Sequence, residues 1–295
     1  MLNIDELKLC VQNNFRLNEN TCKKAAKNGQ LDCLIFAHLN GCSLDEETFL
    51  AAAENGHLEC LKYLFENKCP WNEWTFTYAA ENGHLECLKF LFEIKCPWDV
   101  RTCSAAAFSG FLDCLEFLNK NKCPWDSFTC SNAAIRGNFD CLKYAIENGC
   151  PFDKRTCANA VMNGNLEMLK YVHEKECPWD ADTCLNAVEL DRLDCLKYAV
   201  ENKCSWDKKK CLKIAKKFKN KSIIIFIENE IKKDQDKVAD NSKISNSCDI
   251  CKKNKKCIAY KPCGHLISCW SCYEKTKKCS VCNKKIFDFL RIFFP

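Results

Sequence analysis

The sequence predicts an all-α solenoid of stacked helix pairs, followed by a small α+β domain. Two observations support this fold class. A sequence pattern recurs every 27 residues through most of the chain, and closely spaced cysteines replace this pattern near the end. The predicted boundaries place the helical array at residues 1–232, a flexible polar linker at 233–247 and the small domain at 248–295.

Glycines mark the repeat, because they or one aspartate fall at a constant interval of 27 residues. In one copy, Asp99 suits the N-cap of a first helix and Gly110 suits the left-handed residue that ends it. Three leucines from Leu112 to Leu118 then lie three residues apart, as on one face of a second helix. Residues 3–18 align with the second half of a copy, so we expect the array to begin on a half unit. The marking residues are Gly29, Gly56, Gly83, Gly110, Gly137, Gly164 and Asp191.

The stretch from Thr75 to Leu91, "TFTYAAENGHLECLKFL", resembles an ankyrin repeat. The resemblance extends over the predicted array and implies a stack of helix pairs that binds a protein partner. The array departs from the family in length, because an ordinary ankyrin unit has about 33 residues and a β-hairpin between units. Here "CPWD" stands in place of the hairpin. Short arrays of this type resemble those encoded by large viruses of protists.

Twenty of the 28 cysteines lie in the predicted array, mostly in three columns with the period of the repeat. They could form a ladder of thiols that binds metal or forms disulfides, or they could be small buried apolar residues. Stacked helices repeat at about 10 Å, whereas a disulfide needs Cα atoms within about 7 Å, so neighbours in a column cannot bridge. Phe76 and Met168 also occupy column positions, which a metal site would not tolerate. The columns therefore favour packing, as does the tryptophan column that includes Trp98.

One position near the start of the first helix accepts very different residues, namely Trp74, Arg101, Phe128, Arg155 and Asp182. Such tolerance predicts an exposed position. Trp74 and Phe128 are then candidate anchors for a protein substrate, because aromatic side chains supply much of the binding energy in interfaces. The alternative is that both are half-buried aromatics on the rim of the array.

Charge and hydropathy limit the classes of function. The net charge is +5, with acidic residues in excess over residues 1–207 and lysine in excess from residue 208 onward. A basic tail can bind nucleic acid, but arginine, the usual reader of bases, is scarce there, so we favour a solvated surface. No apolar run is long enough to cross a membrane, and the N-terminus does not resemble a signal peptide. We therefore expect an intracellular, cytoplasmic protein with reduced thiols, in the host cytoplasm if it is viral.

The C-terminal cysteines and a histidine form four closely spaced pairs. Zinc takes four tetrahedral ligands, and a two-residue gap lets both thiolates of a pair reach one ion. Eight ligands therefore predict two closed zinc sites, whose metal is structural because no position is open for water. Disulfides are disfavoured by the expected reducing compartment, and a catalytic thiol is disfavoured because the well-placed candidates are ligands. The predicted ligands are Cys248, Cys251, Cys263, His265, Cys269, Cys272, Cys279 and Cys282.

The order of three cysteines, one histidine and four cysteines resembles the RING finger, over residues 248–295. The gaps between the ligands are those of the inhibitor-of-apoptosis type, in which the ligand pairs interleave. The resemblance implies that the first and third pairs hold one ion and that the second and fourth pairs hold the other. It also implies a ubiquitin ligase that binds ubiquitin and a ubiquitin-conjugating enzyme, and that forms no covalent intermediate.

Four positions match contacts that this family makes with the conjugating enzyme or with ubiquitin. Ile250 matches the apolar contact between the first two ligands. Thr276 stands where a larger apolar residue is common, and Ser280 stands where proline is usual. Asn283 stands where an arginine commonly pins ubiquitin. These departures leave the ligand set intact and bear on the strength of the ligase.

The last ten residues, "IFDFLRIFFP", are largely apolar, and the alternation around Asp288 and Arg291 suits a short strand. This strand could fold back on its own RING or pack on the array. The family resemblance implies instead that the tail pairs across a two-fold axis, where an aromatic residue reaches the ubiquitin held by the other subunit. Phe293 matches that residue best, with Phe294 beside it. The expectation is a homodimer formed through the RING.

Together these features predict a RING-type ubiquitin ligase that recruits a substrate through its ankyrin-like array and a charged conjugating enzyme through its RING. The alternative is a non-catalytic adaptor, whose array binds a partner and whose RING only pairs proteins. Autoubiquitination by the purified chain separates these two functions.

Overall fold

The computed structural model describes residues 3–13, 17–242, 258–261, 266–268 and 288–291. In the long N-terminal part, every regular element is an α-helix, and the helices stack in pairs along the chain. The predicted all-α solenoid of helix pairs is therefore confirmed. Among the described residues, the first helix has no preceding partner helix, in agreement with the alignment of residues 3–18 to the second half of a copy.

Each unit contributes a first and a second helix, which we number in chain order. The first helices are α2 (Glu19–Lys27), α4 (Glu46–Glu54), α6 (Glu73–Glu81), α8 (Val100–Ser109), α10 (Ser127–Arg136), α12 (Lys154–Asn163), α14 (Ala181–Glu189) and α16 (Lys208–Phe218). The second helices, starting with the unpaired α1, are α1 (Ile4–Gln12), α3 (Leu31–Leu39), α5 (Leu58–Glu66), α7 (Leu85–Glu93), α9 (Leu112–Lys120), α11 (Phe139–Glu147), α13 (Leu166–Glu174), α15 (Leu193–Glu201) and α17 (Lys221–Ser242). From α2 to α14, each first helix packs on its neighbouring first helices and on the second helix of its own unit, and α16 packs on α14.

The first helices begin where the sequence predicts, because an aspartate or asparagine stands at their N-caps. The side chain of Asp126 accepts a hydrogen bond from the Phe128 amide at 2.9 Å, and Asp45 accepts one from the Thr48 amide at 2.8 Å. Such a cap satisfies an N–H that the helix leaves unpaired and contributes about 1 kcal/mol. Gly110, with φ of 89°, ends α8 in the left-handed conformation predicted for it.

The core lies between the two layers of helices and combines small residues with leucines. First helices contribute alanines such as Ala52 and Ala53, which are fully buried and let neighbouring first helices approach closely. Second helices contribute leucines such as Leu61 and Leu64, which are also fully buried. Burying one leucine side chain contributes about 1.5–3 kcal/mol, so each unit that carries this leucine pair is stabilised by it.

Glycines at the ends of first helices allow a ring from the next unit to approach the backbone. The ring of His57 lies against Gly29, and the ring of Phe111 lies against Gly83. His57 also joins two units through its Nε2 atom, which lies 3.0 Å from the Lys27 carbonyl oxygen. These glycines therefore serve the packing between units as well as the left-handed turn.

The second helix of the last pair, α17, is longer than the sequence predicts. It extends to Ser242, so the backbone of residues 233–242 is helical where we expected a flexible linker. The reason lies in the composition, because α17 contains neither glycine nor proline. It also has charge pairs one turn apart, such as Lys233 Nζ and Glu230 Oε1 at 2.6 Å.

The chain divides into two compact units, Met1–Ile224 and Ile225–Pro295, and this division falls inside α17. The array boundary at residue 232 and the small-domain boundary at residue 248 stay predictions. Among the described helices, none is both long and apolar enough to span a bilayer.

Beyond the helices, the described backbone forms one antiparallel sheet of three short strands. They are β1 (Ile258–Lys261), β2 (Leu266–Ser268) and β3 (Asp288–Arg291). The strand order is β2-β1-β3, so β1 is central. Ile258 pairs with Ser268 on one side and with Arg291 on the other. This sheet is the β component expected for the small α+β domain.

Candidate functional site

The cysteines that follow the second helices are buried and make directional hydrogen bonds. Cys150 donates its S–H to the Asp126 carbonyl oxygen at 3.3 Å, and Cys177 donates to the Asp153 carbonyl oxygen at 3.3 Å. The acceptor is the N-cap residue of the same helix pair, so the thiol joins the end of each pair to its beginning. The column pattern did not predict this role. Equivalent bonds are made by Cys42, Cys69, Cys96, Cys123 and Cys204.

A second set of thiols lies on the first helices, where five of the described cysteines are hydrogen-bonded to a cysteine that ends the same pair. Cys103 Sγ lies 3.9 Å from the Cys123 carbonyl oxygen, and Cys157 Sγ lies 3.8 Å from that of Cys177. The two cysteines of a pair are 20 residues apart and belong to different columns. A comparison of neighbours within one column therefore does not find them. The thiol pairs are Cys22–Cys42, Cys103–Cys123, Cys130–Cys150, Cys157–Cys177 and Cys184–Cys204.

Burial raises the pKa of thiols within the second helices, to about 11 for Cys60 and about 12 for Cys114. Cys177 and Cys204 are exceptions in direction, because a hydrogen bond from the paired thiol on the first helix lowers their pKa. Metal ligation and nucleophilic attack both need the thiolate. Within the described ranges, no three His, Cys, Asp or Glu side chains lie close enough together to hold a metal ion. The burial predicted for the column cysteines is confirmed.

The two candidate anchors of the array are exposed, and an arginine stacks on each. Trp74 is 41% exposed and Phe128 is 51% exposed, as the variability of their position predicts. The Arg101 guanidinium carbon lies 3.8 Å from the centroid of the Trp74 ring, and that of Arg155 lies 4.2 Å from the Phe128 ring. The sequence places these four residues in one position of the repeat, but we did not predict that neighbouring copies stack. A role in substrate binding stays a prediction.

The N-cap aspartates hold both arginines in place. Asp99 Oδ2 accepts a hydrogen bond from Arg101 Nε at 2.8 Å, and this bond holds the pKa of Asp99 below its ordinary value. Asp153 Oδ2 accepts one from Arg155 Nε at 3.0 Å. Arg155 Nη2 also donates to Ser127 Oγ at 2.8 Å. Each of these aspartates therefore caps its own helix and also positions a guanidinium group.

The predicted zinc ligands lie outside the described residues, as do the other predicted RING contacts. Some of these ligands are adjacent in sequence to the described strands. Cys263 and His265 lie between β1 and β2, and Cys269 follows β2 directly. The ligands concerned are Cys248, Cys251, Cys263, His265, Cys269, Cys272, Cys279 and Cys282. The contacts concerned are Ile250, Thr276, Ser280 and Asn283, with Phe293 and Phe294 in the tail.

The tail strand pairs within its own chain. β3 lies antiparallel to β1, with Phe289 opposite Tyr260 and Leu290 opposite Ala259. On the edge that faces β1, the strand folds back within its own chain, and its pairing with a second chain stays a prediction. The strand folds back because β1 offers an open edge in the same chain, which β3 can pair without the entropy loss of association. The other edge of β3 has no partner within the described sheet.

Comparison with known protein families matches both parts of the chain. The description "Ankyrin repeats (3 copies)" matches residues 23–102, and "Ankyrin repeats (many copies)" matches residues 130–173. The description "Zinc finger, C3HC4 type (RING finger)" matches residues 244–289. The chain carries ankyrin repeats and a C-terminal RING finger. Both resemblances inferred from the motifs are thereby confirmed.

The RING finger is similar to segments of curated viral proteins. It is 38% identical over 50 residues to "Uncharacterized RING finger protein 332L" of Invertebrate iridescent virus 6. This match covers 16% of this chain and 21% of that protein. It is 32% identical over 50 residues to "Apoptosis inhibitor IAP" of Cydia pomonella granulosis virus. That match covers 17% of this chain and 18% of the viral protein. The chain spans less than a third of the length of the curated relatives it matches.

The array is similar to a solved structure, the human ASB11 ankyrin repeat domain. The two share 20% sequence identity with a TM-score of 0.48, over 53% of this chain and 84% of the other.

The donor set of the RING finger fits zinc. All eight predicted ligands fall within residues 244–289, and their thiolate sulfurs and imidazole nitrogen are the donors that structural zinc takes in RING fingers. The RING finger thus implies bound zinc. Stacked repeat arrays offer extended surfaces for binding proteins.

Proposed function

We propose that the chain is a RING-type ubiquitin ligase, which recruits a protein substrate through its ankyrin array and a charged ubiquitin-conjugating enzyme through its RING. One observation supports this most: a complete RING ligand pattern and an array with exposed aromatic anchors occur in the same chain. The array selects a protein, and the RING brings the ubiquitin donor to it.

In this proposal the RING holds two zinc ions. Bound zinc supplies the folding free energy that so short a segment cannot obtain from a hydrophobic core. Cys248 and Cys251 share one ion with the third ligand pair, and the second and fourth pairs hold the other ion. Ile250 lies between two ligands of one ion, so the ligand pair holds its loop in place.

The reaction itself takes place on the bound partners. The ε-amine of a substrate lysine attacks the thioester carbonyl, an isopeptide bond forms and the thiol of the conjugating enzyme leaves. The chain holds the reactants close and in a productive orientation, which makes the step effectively unimolecular. Ile250 is the proposed apolar contact for the conjugating enzyme, with Thr276, Ser280 and Asn283 as further contacts. No cysteine of the chain forms a covalent intermediate.

The full chain is expected to accelerate discharge of ubiquitin from a charged conjugating enzyme onto free lysine by roughly tenfold or more. A gel that resolves charged from uncharged enzyme measures this, with a panel of conjugating enzymes and with chelator-treated chain as the control. The adaptor function, in contrast, predicts binding without acceleration. A zinc-loaded chain that accelerates none of the panel contradicts the ligase proposal.

We also propose a homodimer formed through the RING, in which the tail of one subunit acts on the ubiquitin held by the other. The supporting observation is that β3 is an edge strand, whose outer edge can pair with the same strand of a second copy about a two-fold axis. Phe293, with Phe294 beside it, is the residue proposed to reach the ubiquitin.

Deletion of residues 292–295 is expected to abolish discharge while leaving β3 intact. A chain with Ile250→Ala and an intact tail should then partly restore activity when mixed with the tail-deleted chain, because each subunit supplies what the other lacks. Discharge by the mixture, with the chain mass measured by light scattering, tests this. A monomer at micromolar concentration contradicts the dimer, as does a mixture that stays inactive although both chains are folded.

The same proposal places the chain in the cytoplasm, in that of the host if the protein is viral. The supporting observation is that array thiols are buried and donate S–H hydrogen bonds, a role that requires them to be reduced. Fractionation of cells that express a tagged chain tests this, and recovery in the secretory fraction contradicts it.

A further inference from the structure

We propose that the array recognises an extended segment in which an apolar residue, with a carboxylate two residues later, recurs every six residues. The surface that recognises it is formed by Trp74, Arg101, Phe128 and Arg155, which we call the aromatic–arginine strip. The inference deepens the proposed function and rests on it only for the statement that the bound protein is a substrate.

The strip is a row of exposed residues across four neighbouring helices. Its members occupy the same position near the start of α6, α8, α10 and α12, and each of these helices packs on the next. Both aromatic rings are exposed, and the arginine side chains are 38% and 43% exposed. Aromatic residues and arginines therefore alternate from one unit to the next along an accessible surface.

Both guanidinium groups are already held in place. Asp99 and Asp153 accept hydrogen bonds from the Nε atoms, and each guanidinium lies over the ring of the preceding unit. Stacking of this kind is itself favourable. Because these long side chains are already ordered, a partner that contacts them loses less conformational entropy on binding.

The hydrogen-bonding groups left over on the strip are donors. Arg101 uses Nε and Nη2 for Asp99 and Glu73, and Arg155 uses the same two atoms for Asp153 and Ser127. The Nη1 atoms, with two N–H groups each, make no hydrogen bond or ion pair among the described residues. Carboxylates are the side-chain groups that guanidinium N–H groups bind most strongly.

Two acidic side chains near the ends of the strip are already paired. Glu47 Oε2 lies 2.6 Å from Lys23 Nζ, and Asp180 Oδ2 lies 2.7 Å from Lys154 Nζ. A basic partner would have to break these pairs, whereas a carboxylate meets unused N–H groups. The strip therefore fits a segment with apolar side chains for the rings and carboxylates for the arginines.

The spacing of the helices sets the spacing of the segment. Adjacent packed helices lie about 8–10 Å apart, and an extended chain rises about 3.3 Å per residue, so the two ring–arginine pairs, two units apart, correspond to about six residues of the segment. The recognised segment then has apolar residues at positions 1 and 7, opposite Trp74 and Phe128. Because each guanidinium carbon lies within 4.2 Å of its ring centroid, the carboxylates of the segment stand two residues after the apolar residues, at positions 3 and 9 on the same face.

Single-stranded nucleic acid also stacks on aromatic residues and binds arginine, but the array disfavours it. Both strip arginines are neutralised by their own aspartates, and acidic residues are in excess over residues 1–207. A nucleic acid brings one negative charge with every nucleotide, whereas the proposed segment brings two carboxylates.

The test uses the full chain and a fluorescein-labelled peptide of about ten residues, with Phe at positions 1 and 7, Glu at 3 and 9, and Ser elsewhere. A peptide of the same composition with Phe at 1 and 4 and Glu at 7 and 10 is the register control. Anisotropy titration should show at least roughly tenfold tighter binding of the first peptide. Equal affinities overturn the proposal, as does the absence of binding by both peptides.

Variants of the strip identify the site. Arg101→Gln and Trp74→Ala are each expected to weaken binding of the first peptide by about tenfold. Arg136→Gln is the matched control, because its guanidinium lies 4.8 Å from the Phe108 ring, outside the strip, and its affinity should not change. Arg101→Glu should prefer a peptide with Lys at position 3. Unchanged affinity in the strip variants overturns the proposal, and so does tighter binding of a labelled oligothymidine.

The ligase proposal is kept separate by measuring ubiquitin discharge with the same preparation of unaltered chain. Loss of the predicted peptide binding with discharge intact overturns the strip alone. Absence of discharge with peptide binding intact overturns the ligase and leaves the strip as the recognition surface of an adaptor.

Discussion

Ile250→Ala is expected to slow ubiquitin discharge about 30- to 150-fold, because removing a central apolar anchor from an interface costs about 2–3 kcal/mol. The substituted residue lies between the first two predicted ligands, Cys248 and Cys251. Its loop is held by the bound ion in the proposed RING, so the domain should stay folded without the isoleucine side chain. The change therefore separates loss of docking from loss of folding.

Ile244→Ala is the matched control, because it makes the same truncation four residues before the first ligand. It is expected to discharge ubiquitin at the rate of the unaltered chain. Zinc content and circular dichroism should be unchanged in both variants. Full discharge activity in Ile250→Ala means that the conjugating enzyme docks elsewhere, and loss of zinc from it means that the side chain is structural.

Gly83→Ala is expected to destabilise the array by about 3 kcal/mol, of which about 1 kcal/mol is backbone strain and the rest is a steric clash. Gly83 has φ of 74°, which favours glycine. A Cβ atom there would lie 2.4 Å from Cδ1 and Cε1 of the Phe111 ring, so the ring of the next unit must move. Chemical denaturation followed by helical circular dichroism measures the change.

Two further variants separate strain from clash. Gly149 has φ of 80°, but nothing lies within 4 Å of a Cβ built there, so Gly149→Ala should cost only the strain of about 1 kcal/mol. In a Phe111→Ala background, Gly83→Ala should also cost about 1 kcal/mol, because the ring is gone. Equal destabilisation by Gly83→Ala and Gly149→Ala in the unaltered chain contradicts the proposed contact between units.

The features that follow from local rules could be predicted from the sequence. Asp99 caps its helix and Gly110 ends it because the backbone geometry of a few neighbouring residues decides which residue types suit these positions. The half unit at the start follows from the same period. The exposure of Trp74 was predictable because a position that accepts tryptophan, arginine and aspartate in successive copies cannot be buried in all of them.

The features that depend on contacts across many residues could not be read in the same way. The bond from Cys150 to the Asp126 carbonyl spans 24 residues of chain, and a column of cysteines indicates burial but not a partner. The stacking of Arg101 on Trp74 joins two copies of one position, a signal that was present in the repeat and went unused. For β3, alternation predicts a strand, but the available edge decides which strand it pairs with.

The central claim is that the chain uses cysteine in two chemically distinct ways. Thiols of the array are buried and donate hydrogen bonds, whereas those of the RING bind zinc as thiolates. Zinc analysis by atomic emission, on the full chain and on residues 1–232, tests this claim most directly. We expect two zinc ions per full chain, from the eight-ligand pattern of the RING, and none in the array. Stoichiometric zinc in residues 1–232, or fewer than two ions in the folded full chain, would contradict it.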